Sequence, residues 1–259
     1  MIPMIELQSN ILSYLDRISS TKFSIEVFNT CGFFIVKSSF EKDEVMSWQK
    51  IWFDFYQDKS RNVNQFNPVE VLEDLPHSLM NISKHQKILD VIEQIVGKDI
   101  GLFRTRFVVK DEYSRKHKVP LHEDFSYQVG WPNKSSVFLA LSTCSEKNGG
   151  LTLYPGTHKF GYLGDAGEIN KDVLGDSWPS LTPTLLPGDF IVMNSSTWHE
   201  SKPNISGLDR ISTDFIYQSA NDFSTKEVVR GDVVLSKNFM NSEKDGTPIS
   251  PHERTIKLS

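Results

Sequence analysis

The sequence predicts a mainly β fold with flanking helices, and three observations carry that expectation. From about residue 100 onward, short β-prone runs recur at 101–109, 122–128, 135–143, 151–154, 183–186, 190–193 and 209–217. Between them stand tight-turn signals, including Lys147-Asn148-Gly149-Gly150, Pro155-Gly156-Thr157 and Pro187-Gly188-Asp189. Before residue 100, apolar residues recur at helical spacing instead. Many short strands behind a helical segment imply a double-sheet jelly roll or a barrel, with the N-terminal helices buttressing one sheet.

The elements follow in order within one domain, 1–259, made of a helical part (about 1–99), a β core (about 100–217) and a tail (about 218–259). Gly32-Phe33-Phe34-Ile35-Val36-Lys37 is a short strand candidate. Ser38 and Glu41 have capping-box spacing, and Val45, Trp48, Trp52 and Phe55 then mark one helix face. Residues 54–80 show no regular pattern. Ser83-Lys84-His85-Gln86 opens a second helix, with Ile88, Leu89, Ile92, Ile95 and Val96 on one face and Gly97 as its stop. Within 101–109, alternation puts Phe103, Thr105, Phe107 and Val109 on an apolar face and Arg104 and Arg106 on the other. Residues 159–182 and the polar tail read as long loops, of the kind that often cover sites.

Composition then narrows the chemistry. The chain has 259 residues, a net charge of −5, seven His and only two Cys. Cys31 and Cys144 are too few for a disulfide framework or a cysteine-ligated metal. The start, Met1 to Glu6, has no basic region followed by an apolar run, so no signal peptide is expected. The apolar run at Val137–Leu141 is far short of the ~20 residues that span a bilayer. Mild acidity argues against nucleic-acid binding. These readings together predict a cytoplasmic protein whose metal chemistry, if any, rests on His and carboxylates.

His122 and Asp124 lie two residues apart, so on a strand both side chains would share one face. With seven His in the chain, one such pair is close to chance, and it gains weight only from its place after Val119-Pro120-Leu121. His199, beyond the apolar run 190–193, is the best third candidate. Two His and one carboxylate on neighbouring strands form the facial triad that holds non-haem Fe(II) with positions left open, whereas a structural zinc site closes its shell with four protein ligands. Arg210 opens the run 209–217, where a guanidinium is suited to grip a carboxylate through two hydrogen bonds.

The segments Leu121-His122-Glu123-Asp124-Phe125-Ser126-Tyr127, Asn148 to His158, Pro187-Gly188-Asp189 and His199-Glu200-Ser201…Asn204…Arg210 resemble the phytanoyl-CoA dioxygenase family. That resemblance covers roughly residues 100–217. It implies a double-stranded β-helix (jelly-roll) fold and Fe(II)/2-oxoglutarate-dependent oxygenase activity, with dioxygen as co-substrate and succinate and carbon dioxide as by-products. It further implies His122, Asp124 and His199 as iron ligands, Arg210 as the partner of the distal 2-oxoglutarate carboxylate, and Ser201 as its assistant. Ser136 and Thr105 fall near positions where relatives contact the co-substrate. Where relatives often carry an amide on the strand before the metal motif, this chain has Val109. Halogenases of this fold have a small residue in place of the carboxylate, so Asp124 favours hydroxylation. Desaturation, epimerisation and ring closure use the same triad.

Other residues carry less. His158 reads as structural, and His77, His85, His117 and His252 as solvated. Trp198, next to His199 on a strand, should pack on the opposite face. Arg104, Arg106, Lys110, Arg115, Lys116 and Lys118 outnumber Asp111 and Glu112 locally. With Arg104 and Arg106 read as facing away, the cations at 115–118 are the candidates for a mouth that attracts an anionic or zwitterionic small molecule. Gln128 is in phase with His122 and Asp124 and is a candidate substrate contact. Competing readings are a non-catalytic jelly-roll binding module, which would not need Arg210 and all three ligands, and a zinc hydrolase, which would not need Arg210.

Overall fold

Backbone pairing sorts the core strands into two sheets, most of whose residues are buried on both faces. The structure, a computed structural model, describes residues 4–57, 70–72, 75–111, 116–163, 167–233, 243–244 and 247–248. Its helices are α1 (Met4–Leu12), α2 (Ile25–Cys31), α3 (Lys42–Gln57), α4 (His77–Met80) and α5 (Gln86–Val96). The strands are β1 (Ser19–Ser20), β2 (Phe33–Val36), β3 (Glu70–Leu72), β4 (Ile100–Lys110), β5 (Val119–His122), β6 (Ser135–Leu139), β7 (Leu151–Leu153), β8 (Phe190–Asn194), β9 (His199–Ser201), β10 (Arg210–Ser219), β11 (Glu227–Arg230), β12 (Glu243–Lys244) and β13 (Thr247–Pro248).

The larger sheet runs β1-β2-β8-β6-β10-β4-β11, with β3 also pairing β4, and the smaller runs β5-β9-β7. Two open sheets of this kind are the expected jelly roll rather than a closed barrel. The outer face of the larger sheet is apolar. Trp52 of α3 stacks on Phe107 at 5.2 Å between ring centroids, and Phe107 meets Phe215 edge-on at 5.9 Å. Burying such aromatic side chains is worth about 1.5–3 kcal/mol each, which is why the helices lie on this face.

Helix α5 begins where the sequence places it. The His85 Nδ1 accepts the Lys87 N–H at 3.1 Å, while its Nε2 lies 3.0 Å from Glu44 Oε1 and its ring sits against Phe40. His85 is therefore a cap and a link between α3 and α5, not a solvated residue. Helix α3 starts at Lys42, and Ser38 has a φ of 49°, so Ser38 and Glu41 do not form the expected capping box.

Several expected strands are corrected. The run 122–128 ends as a strand at His122, and a single 3-10 turn, Asp124–Tyr127, follows, started by the Phe125 N–H donating to Ser195 O. Residues 183–186 form no strand; Leu185 makes one bridge to Cys144. The irregular stretch 54–80 contains β3 and α4. The tail supplies β11, which adds to the edge of β4, so the β core continues past 217. A bulge opposite Ile216 and Tyr217 takes Phe103 out of the apolar alternation. Its ring lies among the cations Lys134, Arg104 and Lys226, at 5.0, 5.4 and 5.6 Å.

The segment after β10 is anchored by a buried charge. Lys134 Nζ lies 2.9 Å from Asp222 Oδ2, with side-chain exposures of 0% and 1%, and it also donates to Gln218 and Ser224. Asp222 accepts the Trp131 and Ser224 N–H groups as well. Asp222→Ala should cost about 3–5 kcal/mol in denaturant unfolding, because it leaves an ammonium buried without its counter-charge. A loss below ~1 kcal/mol would show that Lys134 reaches water instead.

Candidate metal centre

Strand β9 lies between β5 and β7, and His122 pairs directly with His199 in that register. Their ring centroids are 4.3 Å apart. Asp124 enters from the 3-10 turn, with Oδ1 at 3.6 Å from His122 Nε2 and 3.7 Å from His199 Nε2. Among the described residues these three form the one cluster of His, Cys, Asp or Glu suited to a metal, with ligand atoms within 4.8 Å of one another.

The backbone fixes both imidazoles. His122 Nδ1 lies 2.8 Å from Pro120 O, and His199 Nδ1 lies 2.9 Å from Thr197 O. A carbonyl only accepts, so each Nδ1 carries the proton and each Nε2 offers a lone pair to the same point. Thr197 is itself held, its hydroxyl donating to Gly32 O at 2.9 Å. Gly32 has a φ of +84°, and a Cβ there would sit 2.4 Å from His158 Nδ1 and 2.5 Å from Thr197 Oγ1. The Pro155-Gly156-Thr157 turn holds the other side, because Thr157 Oγ1 accepts the Trp198 N–H at 2.9 Å.

Burial disfavours charge on His199 and takes it down to about 4, with the neighbouring His122 adding to the effect. Burial acts the same way on His122, but the hydrogen bond and charge of Asp124 outweigh it and the net shift is upward. Asp124 is held below the usual carboxylate range: burial opposes ionisation, and the two imidazoles and Arg106 more than offset it. Ser136 Oγ reaches Asp124 Oδ2 at 3.3 Å.

Arg210 lies at the start of β10, only 3% exposed. Its Nη1 donates to Ser212 Oγ at 2.9 Å, and its Nε has no hydrogen-bond partner. Lys110, opposite it on β4, is also fully buried, its Nζ donating to His117 O and Ser201 O at 3.2 Å each and to Lys202 O. Burial, with the charge of Arg210, takes Lys110 down to about 7. Neither cation has a carboxylate partner among the described residues. The Ser201 hydroxyl donates to Gly149 O at 2.7 Å. That contact needs the tight turn at Gly149, where φ is +76° and a Cβ would meet Lys202 O at 2.6 Å.

The sequence reading of β4 is reversed in one respect. Thr105 pairs with Phe215, so it shares the outer face that meets the helices and does not point toward the metal ligands. Arg104, Arg106 and Lys110 are in phase on the inner face, and Arg106 pairs with Asp214, which is 1% exposed. Burial pushes the Asp214 carboxyl up to about 6 against the pull of Arg106, with Asp124 adding to the rise. The sequence read the alternation of Arg104 and Arg106 correctly, but the face they occupy looks into the site.

Gln128 follows the 3-10 turn rather than a strand, so its phase with His122 no longer applies; its Oε1 is buried without a partner. Arg115 and His252 lie outside the described residues. Lys116 and Lys118 are exposed, and Lys118 pairs with Glu168 at 2.8 Å. His158 sits 3.2 Å from Asn29 O and outside the metal cluster. Trp198 is buried against Phe160 in a second apolar cluster that also takes in Leu174 and Trp178 from the 159–182 loop. Both cysteines are buried, and burial takes each thiol up to about 11. No helix among the described residues is long and apolar enough to cross a membrane.

A jelly roll in which two histidines of the smaller sheet and a carboxylate of the adjoining 3-10 turn converge has the donor set of a mononuclear non-haem metal protein. The family profile "Phytanoyl-CoA dioxygenase (PhyH)" matches residues 28–212, and the chain belongs to that family of iron- and 2-oxoglutarate-dependent oxygenases. It is 31% identical over 119 residues to an ectoine dioxygenase of Streptomyces anulatus, which covers 44% of this chain and 38% of that protein. The chain spans less than two thirds of the curated relatives it matches. Its fold resembles the epimerase SnoN from nogalamycin biosynthesis, in complex with Fe3+, alpha ketoglutarate and nogalamycin RO. The TM-score is 0.67 at 18% identity, covering 82% of this chain and 86% of that one. It also resembles EctD from S. alaskensis with 2-oxoglutarate and 5-hydroxyectoine, with a TM-score of 0.64 at 18% identity over 79% and 81% of the two chains.

Two features fit the iron and 2-oxoglutarate of this family. The Nε2 atoms and the Asp124 carboxylate are a donor set suited to iron, and the Arg210 guanidinium is buried with no carboxylate partner among the described residues, the chemistry that a carboxylate of 2-oxoglutarate would complement.

Proposed function

We propose that this chain hydroxylates an unactivated C–H bond of a small polar molecule, consuming 2-oxoglutarate and dioxygen and releasing succinate and carbon dioxide. The observation that carries the reading is the conjunction of the three-residue metal cluster with Arg210, whose buried Nε has no partner. Iron chelated by 2-oxoglutarate supplies the oxidising power. His122, Asp124 and His199 hold the metal, with Ser136 bonded to the outer oxygen of Asp124. Arg210 orients the co-substrate through its distal carboxylate. Ser201, with its proton directed to Gly149 O, presents lone pairs rather than a donor in this arrangement, so its assistance to Arg210 requires that hydroxyl to turn.

Purified protein with Fe(II), 2-oxoglutarate and oxygen should release succinate, in step with product once a substrate is present. Incorporation of an oxygen atom from labelled dioxygen separates hydroxylation from epimerisation, desaturation or ring closure. Absence of the visible iron-to-2-oxoglutarate charge-transfer band under anaerobic conditions would count against the whole reading.

A further inference from the structure

Asp214 is a buried group of the inner face that metal and co-substrate binding leave unexplained. It lies two residues before Ile216, which pairs with Ser136, and the Ser136 hydroxyl reaches Asp124. Phe215↔Val137 and Ala140↔Ser212 place Phe138 across from Asp214, and the Phe138 ring lies 6.4 Å from that of His199. Asp214 thus borders the metal cluster without being one of its three members.

Its two oxygens are used unequally. Oδ2 accepts from Arg106 Nε at 2.5 Å and is also in ion-pair contact with the terminal Nη2. Oδ1 is buried with no donor. A carboxylate oxygen shut away from water needs a donor, and an isolated one is costly. Neither the iron ion nor ionised 2-oxoglutarate itself carries an N–H or O–H group that could supply it.

Resting on the oxygenase reading above, we propose that Asp214 Oδ1 accepts a hydrogen bond from an N–H or O–H group of the primary substrate, so that the substrate class is an ammonium- or hydroxyl-bearing small molecule rather than a bare hydrocarbon chain. Arg106 holds the carboxylate in place by occupying Oδ2, which leaves Oδ1 as the reading edge. A substrate that meets this edge is anchored beside the metal, and its position selects the C–H bond presented there.

The test uses the anaerobic Fe(II)·2-oxoglutarate complex and its charge-transfer band, titrated with matched probes: proline against its N,N-dimethyl betaine for the ammonium arm, and glycerol against its trimethyl ether for the hydroxyl arm. At least one donor-bearing probe should perturb the wild-type band while its methylated counterpart does not. In Asp214→Leu that probe should bind about tenfold or more weakly, the size of one charge-assisted hydrogen bond, with 2-oxoglutarate affinity retained. Should the loss of the Asp214 carboxylate beside Arg106 prevent Asp214→Leu from folding, the Asp214→Leu/Arg106→Met double variant gives the same comparison. The proposal is overturned if no donor probe perturbs the band, if donor and methylated probes bind alike, or if the variants lose 2-oxoglutarate as strongly as the probe. Failure of the wild type to form the band at all would instead overturn the oxygenase reading.

Discussion

His199→Ala should abolish iron-dependent turnover and reduce Fe(II) affinity by more than the ~10–100-fold typical of losing a residue that only supports a metal ligand. The reason lies in the fixed tautomer. His199 is 3% exposed, its Nδ1 proton is committed to Thr197 O, and its Nε2 is turned toward Asp124. Only two protein ligands remain in the variant, and neither neighbouring strand brings another donor into the cluster. Equilibrium dialysis against Fe(II), with metal measured on the retained protein, gives the affinity directly. A thermal melt of the metal-free variant separates this from unfolding. Unchanged iron retention would remove His199 from the ligand set.

Arg210→Ala should weaken 2-oxoglutarate about 100- to 1,000-fold, the equivalent of two charge-assisted hydrogen bonds lost. Iron affinity should change little, since Arg210 is not in the metal cluster. The same change should leave the melting temperature of the ligand-free protein unchanged or higher. Arg210 is buried with no carboxylate partner among the described residues, beside the buried Lys110, so in the absence of co-substrate it contributes repulsion and desolvation rather than an ion pair. Saturating 2-oxoglutarate should raise the melting point of the wild type but not of the variant. Equal loss of iron and 2-oxoglutarate, or collapse of the ligand-free fold, would show a structural arginine. Arg210→Lys should recover only part of the affinity, because an ammonium cannot grip both carboxylate oxygens in one plane.

Residue type and local spacing made much of this legible. The turn residues Asn148-Gly149-Gly150 and Pro155-Gly156-Thr157 read as turns because φ above zero and missing donors are local properties, and both turns now hold β9 and its histidine. The helical stripe of Trp48 and Trp52 read as a core face, and Trp52 stacks on Phe107. Strand β11 was hidden because Glu227–Arg230 is an edge strand of only four residues, two valines between charged ends, stabilised by pairing with a distant strand. The end of β5 at His122 was hidden for a related reason: the Phe125 N–H leaves the sheet for Ser195 O, some seventy residues away in sequence.

By itself, the sequence named His122, Asp124 and His199 as the candidate donor set and Arg210 as the candidate carboxylate partner, placed helices before a β core, and showed which of residues 104–109 of β4 share a face. Only the tertiary structure decided which of those faces looks inward. Alternation is a two-fold property of one strand, while inside and outside depend on what covers each side. Here the helices cover Phe107, Val109 and Phe215, so Arg106, Lys110 and Asp214 are turned to the inner face, where Lys110 and Asp214 are buried and Arg106 is half-buried.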